Sequence, residues 1–188
     1  MGNVRLGIDL EKTLALRDQY DVHAFIETGT FKMGTTLLVQ PYFDRIITIE
    51  AYEPRWRKNL ETLSSKRPPN VDFWFGDSRT WLSEALDEID APCLLWLDAH
   101  WNGNADLSRI NGDECPLREE LQAVVESKFG QQHVIMIDDA RLFTSPPTRP
   151  HDPAQWMTYE EIQSALHPRV CYIQDDVIYA EPVARSEG

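Results

Sequence analysis

The chain has 188 residues, 18 Lys+Arg against 31 Asp+Glu, and a formal net charge of −13. That length fits one domain, residues 1–188 with a core over about 20–182, able to bury its own hydrophobic centre. The acidic balance argues against nucleic acid or an anionic membrane as the main partner, because both demand a basic footprint.

A helix is predicted around residues 9–20, followed by a short strand at His23–Ile26. Helical periodicity then covers Thr35–Tyr42, Pro54–Ser64, Thr80–Ile89 and Pro116–Lys128. Between these segments stand apolar strands at Arg45–Ile49, Val71–Phe75, Cys93–Leu97 and His133–Ile137. Strand and helix in alternation predict an α/β, Rossmann-like architecture, a mostly parallel seven-stranded sheet with helices on both faces. Thr158 and Glu161 read as a capping box that opens a further helix. "RVCYIQDDVIYAEP" then reads as two strands around Gln174-Asp175-Asp176, an antiparallel hairpin at the sheet edge. Cys93, Cys115 and Cys171 form no CxxC pair, and no stretch of 18 apolar residues occurs. A cytoplasmic protein without membrane anchor is the expectation.

Ligands of open α/β sheets bind beyond the carboxyl ends of the strands. Each core strand here ends in an acid: Glu27, Glu50, Asp77, Asp98 and the pair Asp138-Asp139. A single strand-end aspartate can equally cap a turn or helix, whereas five in register point to a site. In "FIETGTFKMGTT", Gly29 and Gly34 permit close approach or positive φ, and the segment Thr28–Thr30 through Thr35 leads into a helix N-terminus with free N–H groups. Neither GxGxxG nor GxxxxGK[ST] is present, and Glu27 would repel a pyrophosphate. A ligand carrying both an ammonium and a carboxylate fits better, with amides near Gly29 holding the anion and Glu27 the cation. Glu50, with Ala51 beside it, stands where an acid accepts from both ribose hydroxyls, and Asp77 with Ser78 where adenine's amine would lie. S-adenosylmethionine has all of these groups.

The series "FIETGTFKMGTT", "IITIEAYEP", "FGDSRTWL", "LLWLDAHW" and "VIMIDDARLF" resembles the class I S-adenosylmethionine-dependent methyltransferases. It looks most like the small proteins with ETGT, LDAH and IDDAR motifs and, more distantly, the macrocin-type metal-dependent O-methyltransferases. The resemblance departs at Met33, where the family carries glycine. It implies a cofactor site over Glu27, Thr28, Gly29, Thr30, Gly34, Thr35, Glu50, Ala51, Asp77, Ser78 and Asp98. It also implies Mg²⁺ on Asp98, Asp138 and Asp139, a hard cation on converging carboxylates. His100, two residues past Asp98, is the candidate general base for a hydroxylated small-molecule acceptor, a sugar or natural product, with Asp98 at the same centre. Arg141 and Trp101 are candidate acceptor contacts, as are Arg149 and Trp156, on two long loops at 101–115 and 142–157. Two other functions compete: a Rossmann-like nucleotide-binding oxidoreductase, against which the missing glycine fingerprint counts, and a non-catalytic module that binds the same cofactor.

Overall fold

A computed structural model describes residues 7–63, 66–101, 112–145 and 147–183. The elements run α1 (Leu10–Tyr20), β1 (Ala24–Thr28), α2 (Gly34–Val39), β2 (Arg45–Glu50), α3 (Glu53–Leu63), β3 (Val71–Phe75) and α4 (Ser78–Ile89). They continue with β4 (Cys93–Leu97), α5 (Leu117–Glu126), β5 (Val134–Ile137), α6 (Arg141–Thr144), α7 (Tyr159–Leu166), β6 (Val170–Gln174) and β7 (Val177–Glu181). The seven strands lie in the order β3-β2-β1-β4-β5-β7-β6. β1 to β5 pair in parallel and β7 runs antiparallel to both β5 and β6.

Local chemistry explains the boundaries. Asp9 caps α1 by accepting from the Lys12 amide at 3.2 Å. α2 gives way to a 3-10 turn at Gln40–Tyr42, because Pro41 has no N–H to continue the ladder. Asp77 caps α4, which therefore begins at Ser78, two residues before the periodic pattern. The capping box at Thr158 forms as read, with the Glu161 amide 3.2 Å from Thr158 Oγ1 and the Thr158 amide 2.8 Å from Glu161 Oε2. Asp175 and Asp176 take φ of 48° and 66°, the two left-handed residues that a tight hairpin with the native twist requires.

β1 runs further than its apolar run, through Glu27 and Thr28, which the sequence places beyond the strand. Glu27 can stay in the sheet because two hydroxyls, those of Thr36 and Thr48, donate to its Oε2. The sheet buries both faces. Ile26, Leu95, Leu97 and Ile135 face one core with α4, α5 and α7, while Phe25, Leu94, Trp96 and Met136 face the other with α1. Cys93 is fully buried as a small apolar residue, and all three cysteines are free. Among the described residues no helix is long and apolar enough to cross a membrane.

Candidate functional site

Strand order reverses between β1 and β4, and the crevice there opens at the carboxyl ends of the parallel strands. A cavity of about 460 Å³ occupies it. Its lining includes Gly29, Glu50, Ala51, Asp77, Ser78, Asp98, His100, Trp101, Asp138, Asp139 and Arg141. Eleven positions expected from sequence thus share one space. Glu27, Thr28, Thr30, Gly34 and Thr35 are not part of that lining. A larger groove of about 540 Å³ between α5 and α7 carries none of the strand-end acids.

The first loop is built differently from its sequence reading. Gly29 has φ 82°, and a Cβ there would come within 2.1 Å of the Asp98 carbonyl oxygen, so glycine lets the β1 and β4 ends close on each other. Gly34 needs no such freedom. The left-handed positions are Phe31 (φ 46°) and Met33 (φ 64°), and the latter explains why glycine suits this place in the family. Glu27, 2 % exposed, turns away from the cavity toward Thr36 and Thr48, and burial pushes its carboxyl up to about 7.

Glu50 faces the cavity from the end of β2. Its Oε2 accepts from the Phe31 amide and its Oε1 from the Tyr52 amide, both at 2.9 Å. Those bonds fix the carboxylate and leave lone pairs for ligand hydroxyls. Burial holds its pKa above the ordinary value despite the two amides. Asp77 is gripped by Arg79, whose Nε lies 3.0 Å from each of its oxygens and whose guanidinium reaches on to Asp113. That ion pair ties the segment after residue 111 to the start of α4.

His100 is the centre of the far half. Its Nε2 lies 2.9 Å from Asp139 Oδ2, and its side chain is 5 % exposed. A carboxylate only accepts, so Nε2 carries the proton and Nδ1 keeps its lone pair in the neutral ring. Asp98 Oδ1 stands 3.7 Å from Nδ1, too far for a hydrogen bond. Burial pushes the imidazole pKa down, but the Asp139 bond and the charges of Asp98, Asp139 and Asp138 outweigh it and raise the net value. Asp139 adopts φ 57°, and its Oδ1 accepts from Arg141 at 2.7 Å. Burial works against its charge, yet His100 and Arg141 bring its pKa below the ordinary value. Asp138 is pushed up to about 6 by burial and by the Asp139 charge. Burial likewise holds Asp98 well above the usual carboxylate range; His100 opposes, while Asp138 and Asp139 add to the shift.

These groups do not fit the Mg²⁺ site expected on Asp98, Asp138 and Asp139. Each Asp139 oxygen already accepts from a basic side chain, His100 or Arg141, and that guanidinium 2.7 Å away opposes a dication. Among the described residues, no group of three or more His, Cys, Asp or Glu is arranged to hold a metal ion.

Two buried acids unremarked in the sequence support the site, Glu114 in the cavity wall and Glu120 outside its lining. Glu114, 1 % exposed, accepts from Trp156 Nε1 at 2.9 Å and from the Asp152 amide at 3.0 Å, joining the two long loops. Trp156 is consequently buried, packed 5.5 Å from His100 rather than presented to an acceptor. Arg149 is exposed and outside the cavity lining. Glu120 lies on α5, 1 % exposed, against Ser78 and Thr28, and burial pushes its carboxyl up to about 7. A buried acid at the helix position of "LREEL" follows from periodicity, since Leu117, Glu120, Leu121 and Val124 share one face. The expected lid at 101–115 falls largely at 102–111, outside the described residues.

No protein-family profile matches the chain, and no curated protein matches its sequence. Solved structures do match its fold. A Staphylococcus aureus protein assigned as a caffeoyl-CoA O-methyltransferase superposes with TM-score 0.60 at 12% identity, over 95% of this chain and 86% of that one. The O-methyltransferase TomG of Streptomyces achromogenes, solved with S-adenosylmethionine, gives 0.57 at 13% identity over 95% and 82%. The 23S rRNA methyltransferase ErmE gives 0.53 at 9% identity over 98% and 73%. At these identities the likeness establishes the fold, the Rossmann-like fold of class I methyltransferases.

Proposed function

We propose that the protein is an S-adenosylmethionine-dependent methyltransferase acting on a hydroxyl of a small acceptor. The observation that carries this reading is the His100–Asp139 pair, set beside Asp98 in the cavity at the sheet's switch point. The cavity volume suits a nucleoside-sized ligand. Glu50 would hold the ribose hydroxyls, Asp77 and Ser78 the base, and the backbone around Gly29 and Asp98 the amino-acid end. S-adenosylmethionine, when bound, supplies a methyl group on a sulfonium. The residues' own work is alignment and proton removal. Asp139 fixes the tautomer and ring plane of His100, and Nδ1 takes the proton of the acceptor hydroxyl. Arg141 restrains Asp139 from its other side.

The reading is tested with His100→Ala. Its affinity for S-adenosylhomocysteine should stay within about threefold, since the cofactor contacts lie mainly on β1 to β3, while methyl transfer falls by about 10²–10⁴-fold. Unchanged turnover would return His100 to a purely structural role.

A further inference from the structure

Among the described residues, the far half of the cavity holds more carboxylates than Lys and Arg side chains to match them. Arg79 is taken up by Asp77 and Asp113, and Arg141 by Asp139 and Asp176. Arg55 lies 4.4 Å over the ring of Phe31, on the side of Glu50. Among the described residues the Asp138 carboxylate accepts one hydrogen bond, from the Asp139 amide to its Oδ1 at 2.8 Å. It is 9 % exposed and lines the cavity, and among the described residues its Oδ2 accepts nothing. Among the described residues the Asp98 carboxylate has no partner closer than His100 Nδ1 at 3.7 Å. A carboxylate kept nine-tenths out of water without a cation is costly, and a charged ligand removes the cost.

Position decides which ligand supplies that charge. Asp98 follows β4, next to the Gly29 turn, and is within reach of both halves of the cavity. Asp138 follows β5, one strand further from Gly29, Glu50 and Asp77, with its amide 3.2 Å from the Leu97 carbonyl. A metal is disfavoured there by the Arg141 guanidinium 2.7 Å from Asp139, and among the described residues no group of three is arranged to hold one.

We infer that Asp138, with Asp98 beside it, recognises a positively charged group of the methyl acceptor, which is therefore a small organic cation: an amine or ammonium compound that also bears the hydroxyl served by His100. This inference rests on the methyltransferase reading of the same cavity. Trp101 on the cavity wall adds an aromatic surface of the kind that receives organic cations. The same carboxylates repel acceptors that bring phosphate, such as a coenzyme A thioester or RNA.

Two matched triplets test it: glucosamine, glucose and glucose 6-phosphate; and dopamine, catechol and protocatechuate. Binding is followed by ligand-observed NMR on the wild-type protein and on Asp138→Asn, with and without saturating S-adenosylhomocysteine. Asparagine keeps an oxygen for the Asp139 amide and removes the charge alone. In at least one triplet the cation should bind wild type about tenfold more tightly than its neutral and anionic partners, and Asp138→Asn should erase that preference. The inference fails if neither triplet prefers its cation, or if the preference survives in Asp138→Asn. Binding of S-adenosylhomocysteine itself judges the methyltransferase reading separately. Cation preference without it keeps the cation site and removes that reading, and the converse result does the reverse.

Discussion

Replacing Glu50 by alanine probes the cofactor half of the cavity without any need to know the acceptor. Glu50 is 9 % exposed and makes two backbone hydrogen bonds at 2.9 Å, to Phe31 and Tyr52. Alanine removes two things at once. The ribose loses a charged acceptor, which costs about 1.5–3 kcal/mol of binding, roughly a 10- to 150-fold rise in Kd. The Phe31 amide also loses the bond that holds a left-handed residue in place, so the loop relaxes and part of the pocket's preorganisation goes with it. Isothermal calorimetry with S-adenosylhomocysteine reads the first effect, and thermal unfolding of the unliganded protein reads the second. Adenine binding at Asp77 and Ser78 should survive, so adenosine derivatives without ribose hydroxyls should lose little affinity in the variant. Wild-type affinity of Glu50→Ala for S-adenosylhomocysteine would refute the assignment.

Glu27 and Glu120 are both pushed up to about 7 by burial, from an ordinary value of 4.5. Between those limits the folded chain binds protons that the unfolded chain has released, so their contribution to stability is full below about 4.5 and is lost as pH rises through about 7. Glu27→Gln and Glu120→Gln should each flatten the fall of melting temperature over that window, and parallel wild-type and variant curves would contradict the burial argument. Millimolar Mg²⁺ or EDTA should leave both the melting temperature and the S-adenosylhomocysteine affinity unchanged; a Mg²⁺-dependent rise in melting temperature would establish a metal site that these side chains do not present.

Much of this site was legible because its residues sit at strand ends, and strand ends follow from apolar runs. "IITIE", "CLLWLD" and "VIMIDD" place Glu50, Asp98 and Asp138 over one edge of the sheet before any coordinates exist. What escaped was set by contacts distant in sequence. Glu27 looks like a pocket residue until Thr36 and Thr48 close on it from α2 and β2. The converging aspartates read as a metal site from sequence, which does not reveal that His100 and Arg141 both bond to Asp139. Phe31 and Met33 carry the left-handed turns although neither is a glycine, so residue type signalled Gly34 in their place. Trp156 seemed free to meet an acceptor because its partner, Glu114, lies 42 residues away.

The measurement that bears most directly on the account is calorimetric titration of the purified protein with S-adenosylhomocysteine and, in parallel, with NAD. The account predicts a single site per chain for S-adenosylhomocysteine, weakened by Glu50→Ala, and no heat from NAD. Binding of NAD in the absence of any for S-adenosylhomocysteine would contradict it, and would give the switch-point cavity to nucleotide chemistry of another kind.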